Sequence, residues 1–347
     1  MTLEDLQTLL HKFADLSILV VGDYFLDRYL IIDPDLAEVS LETGLEACQV
    51  IQIRNSPGAA GTVTSNLCAL GVGRVRALGI IGDDGQGHDL KAGLRATGVD
   101  IEDLIEVPDR FTPTYTKPLL QTTGGEMERL DIKNRTPVPS SLETRLINAL
   151  RKAVPHVQGI IVLDQVQERN CGVITDRVRE EIAHLGRTCP QHIFFADSRT
   201  HIGEFRDVIV KSNREEAVRA SLAHHAGPVD WTLLTTCART FSKRTGRPVY
   251  TTLGPHGILC AEAGDLHHIP GIPVPDPIDI TGAGDSVSAG VVSALCAGAS
   301  FAEAALLGVL VSSITIQQPG TTGTASSDQV LQRFARTYPH GWSDPTA

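Results

Sequence analysis

The stretch Asp279–Gly290, DITGAGDSVSAG, decides how the rest of the chain is read. It lies between a proline-broken loop, PGIPVPDPI, and a run of small residues, VVSALCAGA. A helix beginning near Gly282 would leave its first N–H groups without intrahelical partners and with partial positive charge. Gly282 and Gly284 lack a Cβ, so the backbone there can close on an anion. Asp285 is then out of place, because a carboxylate inside an anion nest repels phosphate. It fits if its task is to take a proton from a hydroxyl beside a transferring phosphoryl group. Glycine content alone leaves a second reading open: a plain helix start with a favourable acid in its first turn.

Outward from this stretch, short apolar runs end in polar residues or glycine, as buried parallel strands do. They are LSILVVGD, RVRALGIIGD, QGIIVLD, HIFFAD, DVIVKSN and PVYTTLG. Between them lie helical patterns such as GHDLKAGLRATG, SSLETRLINALRKAV, VITDRVREEIAHLG and REEAVRASLAHHA. The alternation predicts an α/β fold, a doubly wound and mostly parallel sheet with helices on both faces. Such sheets bind ligands at the carboxyl ends of their strands. Those ends carry Asp23, Asp83, Asp164, Asp197, Asn213 and Gly254. Two segments, about 28–55 and 110–132, break the alternation and read as antiparallel strands forming a small β lid. The rest reads as one domain over 1–347, ending in a frayed GWSDPTA tail.

Composition narrows the function classes. With 30 basic and 41 acidic residues, the net charge of −11 opposes nucleic acid and anionic membranes, and no basic run offers a binding stripe. Seven scattered cysteines without C-x-x-C argue against disulfides or zinc, so a reducing, cytoplasmic setting is expected. No apolar window reaches a membrane span. Neither G-x-x-x-x-G-K-[ST] nor G-x-G-x-x-G is completed, which disfavours a P-loop NTPase and a dinucleotide dehydrogenase. The pairs His224–His225 and His267–His268 lack metal-ligand spacing and are given no role.

DITGAGDSVSAG resembles the D-T-x-G-A-G-D-x-F-x-A-G signature of the PfkB, or ribokinase-like, carbohydrate kinases. The resemblance runs over nearly the whole chain, through ALGIIGDDGQG, VKSNREEA, TLGPHG and QQPGTT in the family's order. ILVVGDYFLDRY, RFTPTYTK and EMERLD look like the heptose-7-phosphate kinase branch. The resemblance implies a kinase using ATP and Mg²⁺, with K⁺ as a further candidate ion, acting on a sugar or sugar phosphate. It implies Asp285 as base, with the amides of Gly282, Ala283 and Gly284 as the anion hole. Asn213 and Glu216 would organise Mg²⁺ through its waters, and Thr252, Gly254 and Gly257 would line the nucleotide site. Asp279 would serve a monovalent cation site. Asp23, Asp27, Gly58, Thr62, Arg129, Asp164 and Arg199 are the substrate-side candidates, and the lid implies a homodimer.

Plainer roles remain for several of these. Asn213 and Glu216 fit a helix capping box, Asp83 and Asp84 a turn and a cap, and Asp23 and Asp27 surface acids. Arg129 and Arg199 fit either solvated strand ends or phosphate contacts. The chain also departs from the branch. PGAAGTVTSN puts Ala59 for the second glycine and Thr62 for an expected asparagine, replacing an amide with one hydroxyl. DSR stands for D-P-K, LDQVQERN loses a lysine and a glycine, and His256 stands where Lys or Arg is frequent. The helix before QQPG also lacks the asparagine that some relatives place near adenine. The phosphoryl-transfer end is intact and the substrate end is rewritten. A nucleoside or other small-molecule kinase of the same fold, and a non-catalytic sugar or nucleotide sensor, are the competing readings.

Overall fold

A computed structural model describes residues 1–222, 227–320 and 322–344. In chain order the first half runs α1 (Leu3–His11), β1 (Ser17–Gly22), β2 (Tyr24–Val39), β3 (Glu46–Ala59), α2 (Ala60–Ala69), β4 (Arg74–Gly82), α3 (Gly85–Ala96), β5 (Leu104–Val107), β6 (Thr114–Leu120), β7 (Leu130–Ile132), α4 (Ser140–Ala153) and β8 (Gly159–Asp164). The second half runs α5 (Asp176–Thr188), β9 (Ile193–Ser198), β10 (Ile209–Asn213), α6 (Arg214–Ser221), α7 (Trp231–Thr245), β11 (Val249–Thr252), β12 (Ile258–Glu262), β13 (Asp265–Ile269), α8 (Ala283–Cys296), α9 (Phe301–Thr315) and α10 (Ser327–Thr337).

Nine strands form the main sheet in the order β13-β12-β11-β10-β9-β8-β1-β4-β5. The strands from β11 to β5 pair in parallel, and the β12–β13 hairpin adds antiparallel at one edge. The six runs read as buried strands are β1, β4, β8, β9, β10 and β11. Their near-continuous burial follows from helices covering both faces. One face packs against α1, α2, α3, α8, α9 and α10 around Leu67, Val291 and Leu307. The other packs against α4, α5 and α7 around Leu146, Ile182 and Phe241. The short strands β5, β12 and β13 escape a reading based on long apolar runs: β5 and β13 have a polar or exposed side, and β12, although buried over Ile258–Ala261, spans only five residues.

A second sheet, ordered β3-β2-β6-β7, forms the lid expected from the two insertions. It begins earlier than expected, at Tyr24, and extends to Ala59. The β2–β3 and β6–β7 pairs are antiparallel, and β2 meets β6 in parallel. Direct partners on β2 and β6 set Asp27 beside Tyr115 and Tyr29 beside Lys117 on one face.

The tail is tied down rather than frayed as far as it is described. Trp342 is buried and exchanges backbone bonds of 2.8 and 2.9 Å with Met1. Asp344 lies 2.5 Å from His267 Nδ1. His268 Nε2 bonds the His256 carbonyl. The His224–His225 pair lies outside the described residues. Asp84 caps α3, its Oδ1 accepting the Gly87 N–H at 2.7 Å.

Where the β3–α2 junction has Ala59 in place of a glycine, the backbone takes φ +52° and ψ −115°. That region is essentially reserved for glycine, and a Cβ there is strained by about 1–3 kcal/mol. Ala59→Gly is therefore expected to raise stability by about 1 kcal/mol in chemical denaturation, against the usual destabilising direction of a glycine substitution. A loss of stability would contradict the strained junction.

Candidate active site

The parallel strands β1, β8, β9, β10 and β11 end on one edge of the sheet, where α8 packs against β8 and β9 and meets Lys211 of β10. Gly282 caps α8 in the left-handed region, φ +76°, because the chain must reverse sharply from the loop into the helix. Thr62 of α2 is packed against it: a Cβ on Gly282 would fall 3.2 Å from the Thr62 methyl. The buried Thr62 thus helps wall the nest. One element of the expected anion hole is corrected. The Ala283 N–H is spent on Ile280 O at 3.1 Å inside the turn, so it is not aimed at a ligand. Among the described residues, no bond engages the N–H groups of Gly282, Gly284 and Asp285, and these are the amides left for an anion.

Asp285, in the first turn of α8, faces a buried pair of charges. Lys211 Nζ of β10 lies 2.7 Å from Asp197 Oδ2 of β9, and the two residues are direct partners across the parallel ladder. Ser288, one turn along α8, donates to the same Asp197 oxygen at 3.4 Å. Burial pushes the Asp285 carboxyl up to about 7, and the negative charge of Asp197 adds to it, while Lys211 and Arg199 oppose. Burial alone would discharge Lys211, but Asp197 overrides it and holds the ammonium protonated. Lys211 was not among the sequence candidates. Its signal was there in VKSN: a lysine inside an apolar strand, two residues before Asn213 and therefore on the same face.

Asn213 and Glu216 close a capping box, Asn213 Oδ1 accepting the Glu216 N–H and Glu216 Oε2 accepting the Asn213 N–H, both at 2.8 Å. The plainer reading of these two is thus realised geometrically. Glu216 stays half-buried, its carboxyl raised by burial first and by Asp197. Thr252 ends β11, with Gly254 and Gly257 in the tight turn that follows. Asp279 holds the loop before α8, its oxygens accepting the N–H groups of Thr281 at 2.9 Å and Gly320 at 3.2 Å. Burial alone would raise the Asp279 carboxyl, but the Thr281 and Gly320 bonds hold it below the ordinary range.

On the lid side, Asp23 and Asp27 are both buried, which overturns the surface-acid reading. Asp23 is fully engaged, accepting the N–H groups of Gln165, Val166 and Val173 at 2.7–3.0 Å. Burial, with Asp164 nearby, still pushes it up to about 6. Asp27 sits 3.5 Å from Lys117 Nζ, and a Cβ on Gly58 would come within 2.6 Å of its Oδ2. Burial raises the Asp27 carboxyl against the pull of Lys117. Two other candidates are already occupied. Asp164 is buried, taking the Ser198 hydroxyl at 2.7 Å beside His201 and Arg179. Arg129 is bidentate to Asp131 at 2.7 and 2.9 Å and stacks over Tyr115. Arg199 remains exposed and lines an open cleft with Arg110, Lys133, Tyr115 and Asp23.

Among the described residues, no cluster of three His, Cys, Asp or Glu side chains is built to hold a metal. No described helix is long and apolar enough to cross a membrane.

Residues 25–328 match the family described as pfkB family carbohydrate kinase. The chain belongs to that family. Its reaction class is accordingly phosphotransfer to an alcohol group of a carbohydrate, and the PfkB resemblance read from DITGAGDSVSAG holds. The chain is 26% identical over 342 residues, 97% of its length, to a "Bifunctional protein HldE" of Geotalea uraniireducens. It spans 62–67% of the length of the curated relatives it matches. Its fold is shared with a ribokinase from Cryptococcus neoformans solved with ADP, at TM-score 0.67, 20% identity, and 92% and 99% coverage of the two chains. It is shared as well with phosphofructokinase-2 from Escherichia coli in complex with substrates and products, at TM-score 0.68, 18% identity, and 92% and 99% coverage.

The carboxyls give a direct check. An NMR titration of the aspartate side chains should find Asp23 near 6, Asp285 near 7 and Asp279 low. Because the first two are raised, the folded chain holds their protons more tightly, and their stabilising contribution falls as pH rises from about 4 through these values. An Asp285 titrating at the ordinary value of about 4 contradicts the buried arrangement.

Proposed function

We propose that the chain transfers the γ-phosphoryl group of ATP to a hydroxyl of a sugar that already carries a phosphate. One observation carries this reading: Asp285 stands at the open N-terminus of α8 within electrostatic reach of Arg199, which lines a cleft together with Lys133 and Arg110. An acidic chain gathers these cations at one cleft, and guanidinium groups suit a phosphate. The likeness to bifunctional HldE proteins and to phosphofructokinase-2 supports a phosphorylated acceptor.

In this reading the acceptor hydroxyl lies against Asp285, which removes its proton as the new O–P bond forms. The free amides of Gly284 and Asp285 hold the charge that develops on the phosphoryl oxygens. Asp27, next to Lys117, takes sugar hydroxyls, and Tyr115 covers them from the lid so that water is kept from the phosphoryl group. Mg²⁺ would travel with the nucleotide and neutralise its phosphate charge, keeping several waters and needing only one or two carboxylates. Glu216 spends Oε2 on the Asn213 N–H, so Oε1 is the atom left for a metal-bound water. A monovalent cation such as K⁺ would have to share Asp279 through lone pairs left over by Thr281 and Gly320. The lid tip exposes Leu36, Val39, Leu41 and Leu45, an apolar edge suited to the same edge of a second copy.

ADP release, measured with free sugars, sugar phosphates and nucleosides as acceptors, tests the reading. Sugar phosphates should be turned over fastest, and response to nucleosides alone would sink the proposal. Asp285→Asn should lower kcat by about 10²–10⁴ while sparing ATP binding. The base works only when ionised, so kcat/KM should fall about tenfold per pH unit below pH ~7 and level above it.

A further inference from the structure

The Lys211–Asp197 pair is not explained by stability. Both side chains are about 8% exposed, and replacing a buried ion pair with apolar residues is frequently neutral or stabilising. Neighbouring positions on β9 and β10, such as Phe195 and Val210, are apolar, so the strands themselves do not require charge. What sets the pair apart is where it faces. A Cβ on Gly284 would lie 3.0 Å from Lys211 Nζ, closer to it than to any other group. The ammonium is therefore pressed against the opening turn of α8, beside two of its unpaired amides. A fixed positive charge next to positively polarised amides is unfavourable in itself. It becomes favourable when an anion fills the nest.

From this juxtaposition we infer that Lys211 is a further catalytic residue, whose ammonium leaves Asp197 to bind the transferring phosphoryl group at the amides of Gly284 and Asp285. Asp197 is the positioning residue that stores the charge until the phosphate arrives. The inference rests on the proposed kinase reading and adds one cation to it. The step is balanced. The acceptor oxygen gives its proton to Asp285 and forms the new bond to the γ-phosphorus. The bond from that phosphorus to the bridging oxygen breaks, and ADP leaves with its electron pair. Lys211 keeps all its protons and changes only its hydrogen-bond acceptor. The charges facing Asp285 are Asp197 from β9, Lys211 from β10, Arg199 after β9 and Asp27 from the lid, and Glu216 of α6 faces Lys211.

Three measurements on Lys211→Met, Lys211→Arg and Asp197→Asn test the inference, with thermal melting to verify folding. Lys211→Met should lower kcat by about 10²–10³ with a much smaller change in KM for ATP, and Lys211→Arg should restore part of it. The acid limb of kcat/KM should move in opposite directions. Removing Lys211 raises the Asp285 value and removing Asp197 lowers it, each by about one unit. A merely structural pair would not produce opposed shifts. ADP with aluminium fluoride, which puts a phosphoryl-shaped anion beside the β-phosphate, should bind wild type more tightly than ADP alone, and Lys211→Met should lose that gain. Unchanged kcat, limbs that move together or stay put, or a retained aluminium fluoride gain each overturns the role of Lys211. If Lys211→Met does not fold, the direction of the Asp197→Asn limb decides. If wild type phosphorylates no acceptor, the kinase reading falls, and the aluminium fluoride comparison still decides Lys211.

Discussion

Gly284 leaves just enough room for α8 to begin directly above a buried ammonium. A Cβ there would lie 3.0 Å from Lys211 Nζ, so the ammonium would have to give by a few tenths of an ångström against its bond to Asp197. The rest of the site depends on that clearance. It lets Asp285 reach the Asp197–Lys211 pair, and it brings free amides, a carboxyl and a cation into one small volume. Small residues at the start of α8 are thus a packing condition for the chemistry.

The same closeness sets the electrostatics. Asp285 is pushed toward neutral pH by burial and by Asp197, and held from rising further by Lys211 and Arg199. In the proposed reaction, a base tuned near the working pH is the useful compromise between being ionised and being basic. Asp23, only slightly less raised, has another task. Its three backbone bonds tie the segment after β8 to the end of β1, so it shapes the cleft floor rather than reacting in it. Two carboxyls with similar shifts therefore have different partners: three backbone N–H groups for Asp23, and the Asp197–Lys211 pair for Asp285.

Much of this was legible in the sequence. Six parallel strands appear as apolar runs because burial on both faces leaves no room for alternation. The N-terminus of α8 could be read from Gly282 and the acid behind it, and the lid from two segments that break the pattern. Asn213 and Glu216 could be read as a capping box because capping is local, spanning three residues. The hairpin β12–β13 was missed because both strands span only five residues and β13 is largely polar. Lys211 was missed because a lysine in a strand normally marks an exposed position. Its partner Asp197 is fourteen residues away in sequence, and only the β9–β10 register brings them together.

The sequence by itself determined the elements whose causes are local or periodic: strand runs, helix caps, the nest at Gly282 and the family that its order of motifs resembles. The tertiary structure decided which charges meet. The Ala283 N–H closes a turn onto Ile280, and Arg129 and Asp164 are engaged by neighbours that spacing does not reveal. Lys211 meets Asp197 and the first turn of α8 because two strands and a helix come together there. Charge pairing depends on distances of a few ångströms between segments far apart in the chain, and no sequence period encodes them.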